Sequence, residues 1–205
     1  MKILHIDSSI TGDDSVSRKL TAAVVARLVS LCPDARVTYR DVAGQPLPQA
    51  SGPLLAAAAG VATPAPESGL QREVAVVNRA LDEVLAADVV VIGAPMYNFS
   101  VPSQLKSWLD ALAVPGKTFR YDENGVQGLL GDKRVVIASA RGNVYAGGSP
   151  FASADHHESY LLSFFGFLGV TRIEVVRAEG VRLSPAHAEA AMAGALAQAG
   201  QLEAA

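Results

Sequence analysis

Short apolar runs alternate along this chain with longer stretches in which apolar residues recur every three or four positions. Residues 3–6 form the first run and end at Asp7-Ser8-Ser9, so a first strand enters a polar loop. Ser15-Val16-Ser17-Arg18 opens an amphipathic stretch through Leu20, Val24, Val25, Leu28 and Leu31. Ser15 or Ser17 is placed to cap that helix and Pro33 to stop it. Residues 36–39 alternate as a second strand, and residues 42–69 read as a long excursion holding one short helix near 54–60. Helical spacing returns over 71–85, 103–112 (with Ser103 as cap), 159–168 and 185–201, and strand character over 88–92, 135–138 and 172–177. The stretch after 112, with its Gly, Lys, Phe and Tyr, reads as a loop. Strands alternating with helices predict an α/β fold over residues 1–205 as a single domain. Its expected form is a doubly wound, five-stranded parallel sheet in the order 2-1-3-4-5, with helices on both faces.

The chemically odd segment is Val89 onward, Val-Val-Val-Ile-Gly-Ala-Pro-Met-Tyr-Asn-Phe-Ser. A buried strand runs straight into a loop of Met96, Tyr97, Asn98 and Phe99, too apolar for ordinary solvated connection and too rich in donors for plain core. Loops at the carboxyl ends of parallel strands are where such sheets bind ligands. Three of them converge in this order. The first carries Ser9, Ser15, Val16 and Ser17 and leads into a helix N-terminus, which suits one phosphate or else is an ordinary cap. The second, 96–99, can lie against a planar ring or pack in a core or between subunits. The third, Ser139-Ala140-Arg141-Gly142-Asn143, offers a close backbone approach at Gly142, or a tight turn with an exposed Arg141. Phosphate at one end and a planar ring at the other describe flavin mononucleotide (FMN). Neither Gly-x-Gly-x-x-Gly nor Gly-x-x-x-x-Gly-Lys-Ser/Thr occurs, which argues against pyrophosphate and triphosphate sites.

Composition narrows the classes. The 205 residues, 50% hydrophobic, suffice for a sizeable core, and a net charge of −3 without a basic run gives no case for nucleic acid. A single cysteine, Cys32, excludes an internal disulfide. No apolar stretch is long enough for a bilayer, so no membrane is expected. His156-His157-Glu158 has no third ligand at suitable spacing and reads as a solvated helix start, so no metal is expected. His5 reads as packed in the first strand and His187 as exposed on the last helix. Ser139 lacks a Gly-x-Ser-x-Gly elbow, which disfavours a hydrolase. Two other classes compete: an FMN electron carrier, which would present a more strongly acidic face, and a phosphodiester hydrolase with the helix N-terminus as its phosphate site, which lacks a metal cluster or a nucleophile–base pair.

Ala94-Pro95-Met96-Tyr97-Asn98-Phe99, Gln104-Leu105-Lys106 and Gly116-Lys117-Thr118-Phe119-Arg120-Tyr121 are the most specific pieces of a wider resemblance. Glu123-Asn124-Gly125, Phe164, Gly166-Phe167-Leu168-Gly169 and Ala178-Glu179-Gly180 add to it. Over nearly its whole length the chain resembles the FMN-dependent NADH:azoreductase family, relatives of the NAD(P)H:quinone oxidoreductases with a flavodoxin-like fold. The resemblance implies one FMN per subunit, its phosphate held by Ser9 and Ser15 to Ser17, its ribityl chain and ring by Met96 to Phe99, and the ring's polar edge by the 140–143 loop. It implies ping-pong hydride transfer from NADH or NADPH, two-electron reduction of quinones, and reductive cleavage of aromatic azo compounds to amines. No side chain is expected as acid, base or nucleophile, since the cofactor carries the hydride. Tyr121 and Phe164 are expected as aromatic walls of the substrate pocket or as dimer contacts. A cytoplasmic homodimer is expected, its interface drawn from Phe119, Tyr121, Tyr145, Phe151, Phe164, Phe165 and Phe167. Where the family often has a second glycine, this chain has Asn143, whose side chain adds a hydrogen bond or crowds the ring.

Overall fold

Alternate residues of the central strands point to opposite faces, and both faces are apolar, so each must be covered by helices. The computed structural model describes residues 1–123 and 125–204. The main sheet comprises β1 (Lys2–Asp7), β2 (Arg36–Asp41), β3 (Val89–Pro95), β6 (Arg134–Ala140) and β7 (Arg172–Ala178), with every neighbouring pair parallel. Its order is β2-β1-β3-β6-β7, the expected 2-1-3-4-5 once the strands of this sheet alone are numbered. One face packs Leu4, Ile6, Val90, Ile92, Val135 and Ile137 on α3 (Gly69–Ala86), α4 (Ser103–Leu112) and α5 (Glu158–Phe167). The other packs Ile3, Val89, Val91, Val136 and Val176 on α1 (Val16–Leu31) and α6 (Pro185–Gly200). Each fully buried aliphatic side chain contributes about 1.5–3 kcal/mol. The short α2 (Gly52–Ala58) is the helix of the long excursion.

Three expectations need correction. The strands before the second and third loops are longer: β3 and β6 stay paired through Gly93↔Ala138, Ala94↔Ser139 and Pro95↔Ala140. Hydrogen-bonded neighbours on a parallel sheet override the turn tendency of Gly and Pro, so Ser139 and Ala140 are strand residues, not loop residues. Ser103 is the first residue of α4 and caps nothing, because Pro102 holds the cap position. The stretch after α4 contains an antiparallel hairpin, β4 (Phe119–Asp122) with β5 (Gly125–Gly128). Its strands have four residues each and are mostly exposed, which leaves no buried period to read. The hairpin is held from outside. A Cβ on Gly128 would lie 2.1 Å from the Gly169 backbone, and Leu130 N–H donates to Leu168 O at 2.8 Å. Only glycine permits that approach, and Gly169 also has φ +91°.

Candidate functional site

The loops after β1, β3 and β6, joined by the turn after β7, enclose one crevice of about 800 Å³. Ser9, Ser15, Val16, Ser17, Met96, Tyr97, Asn98, Phe99, Ala140 and Gly142 all line it. Ser139, Arg141 and Asn143 do not. The crevice also takes in Ile10, Thr11, Asp14, Pro95, Tyr145, Val181 and Arg182, which sequence reading missed. The rule that ligands sit at the carboxyl ends of strands reaches Val181 and Arg182 once β7 is counted among those strands.

At the β1 end the donors are local. Ser15 caps α1 by accepting from Arg18 N–H at 3.2 Å, and its hydroxyl meets that of Ser17 at 3.1 Å. Val16 and Ser17 occupy the first turn, where N–H groups have no carbonyl of their own helix to reach. Ser9, Ser15 and Ser17 are buried with their hydroxyls gathered there, and Ser9 Oγ also meets Thr11 Oγ1 at 3.0 Å. Hydroxyls, free N–H groups and the helix dipole together suit a phosphate monoester. No Lys or Arg takes part. Arg18 is turned toward β2, where its Nη2 donates to both Asp41 carboxylate oxygens at 2.9 Å and to Ser9 O at 2.8 Å, bracing the loop from behind. Behind it Asp7 is buried. Burial alone would raise its pKa, but His5, Thr21 and Arg18 hold the carboxyl below its usual range.

The middle loop is a strained turn. Tyr97 N–H donates to Ser100 O at 2.9 Å and Ser100 N–H returns to Tyr97 O at 3.1 Å, with Asn98 (φ +48°) and Phe99 (φ +72°) between them. That φ pattern belongs to a type I′ turn, whose second position favours glycine. A phenylalanine there costs about 1–2 kcal/mol, the kind of strain that clusters at binding sites. Tyr97 OH lies 3.2 Å from Ser9 Oγ and accepts from Ile10 N–H at 3.3 Å, cross-linking this loop to the serine loop.

The third end is built on buried charge. Arg141 is not the exposed residue of a turn. Its side chain is wholly buried and pairs with Asp155 at 3.1 Å, Glu179 at 2.9 Å and Glu158. Glu158 in turn pairs with Arg177 at 2.5 Å. Burial pushes the Glu158 pKa up, but Arg177, Ser139 and Arg141 hold it below its usual value. Glu179 Oε1 also accepts from Tyr145 N–H at 2.9 Å and Ala146 N–H at 3.2 Å, fixing the Tyr145 ring at the crevice. Asn143 folds back to accept Val144 N–H at 2.8 Å, so its side chain secures its own turn. The solvated helix start is also a correction: His156 is exposed, but His157 is fully buried and Glu158 nearly so. Burial and the Arg141 charge lower the His157 pKa to about 4. His5 is packed against Tyr39, and His187 is exposed. Among the described residues no group of three candidate ligands could hold a metal.

The aromatic residues divide. Tyr145 lies between Phe99 at the crevice and Phe151 outside its lining, with ring centroids 6.4 and 6.5 Å away. Tyr121 and Phe164 lie outside its lining, on the hairpin and α5. Tyr121 stacks edge-on against Phe119, Phe164 contacts Tyr160 and Phe165, and Phe165 is core.

A doubly wound sheet with a ligand crevice at the β1/β3 switch point defines the class, and the flavodoxin-like fold family matches residues 1–202. A protein of Bradyrhizobium sp. named FMN-dependent NADH:quinone oxidoreductase is 52% identical over 204 residues, covering 100% of both chains. One of the same name from Methylocella silvestris is 52% identical over 200 residues, covering 98% of this chain and 96% of its own. The crystal structure of an azoreductase from Bacillus anthracis superposes with a TM-score of 0.87 at 32% identity, covering 98% of this chain and 97% of that one. The chain belongs to the family of FMN-dependent NADH:quinone oxidoreductases.

Proposed function

We propose that this protein is an FMN-dependent NADH:quinone oxidoreductase that also cleaves aromatic azo compounds, with donor and acceptor using one crevice in turn. The observation that carries this reading is the pairing, in one crevice, of a cation-free cradle of hydroxyls and N–H groups with a strained aromatic turn. FMN, when bound, supplies a two-electron hydride carrier. Ser9, Ser15, Val16 and Ser17 hold its phosphate. Met96, Tyr97, Asn98, Phe99, Ala140 and Gly142 seat the ribityl chain and ring, while Ser139, Arg141 and Asn143 support that seat from behind. The Tyr145 ring, fixed by Glu179, walls the space where planar substrates stack. Solvent reaches the crevice and delivers the proton. NADH, one proton and a quinone give NAD⁺ and a hydroquinone, and two NADH with two protons take an azo bond to two amines.

The active unit in this reading is a cytoplasmic homodimer, and the occupant of its apolar face is a second copy. An apolar recess of about 350 Å³ opens between α2, α4 and Phe119, flanked by exposed Leu55 and Tyr121. Tyr121 and Phe164 serve that interface or the partner's pocket. Among the described residues no helix is long and apolar enough to cross a membrane.

Anaerobic mixing of the purified yellow protein with NADH tests the activity. The visible flavin band bleaches, and a quinone restores it. A flavin that stays oxidised under excess NADH refutes the proposal. Sedimentation at micromolar concentration tests the dimer, and monomer alone refutes that part.

A further inference from the structure

Arg182 differs from the other arginines around the crevice. Arg18 is engaged with Asp41 and Ser9 O, Arg141 with three carboxylates, and Arg177 with Glu158. Arg182 is the one cation among the described crevice residues, and its guanidinium has neither an ion pair nor a hydrogen bond there. Its head is exposed while its stem is anchored. The backbone N–H donates to Gly142 O at 3.0 Å, and the side-chain methylenes lie over Gly142, where an added Cβ would sit 3.3 Å from Cδ. The turn itself is tied down by Val181 N–H to Arg141 O at 3.2 Å and Leu183 N–H to Gly180 O at 3.0 Å. An arginine whose stem is already placed loses less side-chain entropy on taking an anion.

The sheet order decides which anion. The phosphate cradle follows β1, whereas the turns bearing Gly142 and Arg182 follow β6 and β7, across β3 from it. Arg182 therefore stands on the side away from the cofactor's phosphate. We infer that Arg182 is a specificity-determining residue that recognises a phosphate, sulfonate or carboxylate on the substrate stacked in the crevice. This rests on the oxidoreductase reading above. Such a group arrives either as the pyrophosphate of the nicotinamide dinucleotide or as an acidic substituent on an aromatic acceptor.

The experiment compares holoenzyme with R182A and R182K. One arm measures the second-order rate of flavin reduction by NADH against ionic strength. The other measures kcat/KM for a naphthoquinone and for its monosulfonated analogue. In R182A either the salt slope of the NADH arm flattens or the sulfonated-to-neutral ratio falls, by about three- to tenfold, and R182K restores the charge-dependent part. A change in the first arm identifies the dinucleotide, and a change in the second identifies the acceptor. A salt slope and a ratio in R182A both equal to wild type overturn the inference. A wild-type enzyme that NADH does not bleach overturns the oxidoreductase reading and this role with it, whereas wild-type bleaching with unaltered R182A overturns this role alone.

Discussion

The two ends of the crevice are built by different physics. The β1 end is local and without a cation in its lining: within nine residues, Ser9 to Ser17, the chain supplies four hydroxyls (Ser9, Thr11, Ser15 and Ser17), the Asp14 carboxylate and the first N–H groups of α1. The β6–β7 end is charged and non-local. Arg141, Asp155, Glu158, Arg177 and Glu179 come from the residue after β6, the segment before α5, α5 itself, β7 and the residue after β7, and meet only in the fold. The first end can change its ligand affinity without upsetting the fold, since its donors face the crevice. The second cannot lose a partner without leaving a buried charge uncompensated.

The largest test of that contrast is R141M. With the guanidinium gone, Asp155, Glu158 and Glu179 lose their shared partner, and denaturant unfolding registers a loss of about 3–5 kcal/mol. A loss under about 1 kcal/mol would mean that the network is not what holds this end. The next test is pH. His157 titrates at about 4 in the fold against 6.5 as an unperturbed side chain. The unfolded chain therefore binds the proton first as pH falls. The stability contribution is whole above pH 6.5 and is lost as pH drops toward 4, by up to about 3 kcal/mol. Replacing His157 with phenylalanine removes that slope, as urea midpoints at several pH values would show. The lowered pKa values of Glu158 and Asp7 act in the same direction at still lower pH, since their stabilisation is present above the unfolded values and fades below them.

At the other end S17A weakens FMN binding by about tenfold, measured by fluorescence titration of apoprotein, with a shift in melting equivalent to under about 1 kcal/mol. A large loss of stability with intact FMN affinity would reverse the assignment of the two ends. Smallest in energy is F99G. Relief of the left-handed φ offsets the added chain entropy, so stability stays within about 1 kcal/mol of wild type while kcat/KM for quinone falls. An unchanged kcat/KM would show that the ring of Phe99 has no part in catalysis.

Much of this was legible in the residues. The strands and helices of the main sheet follow from hydrophobic period, and Ser15 declares itself as the cap of α1 because capping uses short-range donors. Legibility failed where partners come from afar. Nothing near Arg141 in the sequence signals that its charge is met by Glu179, 38 residues on. His157 and Glu158 look like a solvated helix start because polarity is a local property and burial is not. The β4–β5 hairpin was invisible for the same reason, being held by the contact of Gly128 with Gly169 rather than by its own pattern.

The order of apolar runs and spacers determined the layered sheet and brought the loops after β1, β3 and β6 to one edge, because parallel strands can be joined only through right-handed crossovers. Short-range donors likewise determined the Ser15 cap of α1. Tertiary structure alone decided which way each arginine faces. Arg18 and Arg141 turn inward because carboxylates meet them there, whereas the Arg182 head, which no carboxylate meets among the described residues, stays exposed at the crevice.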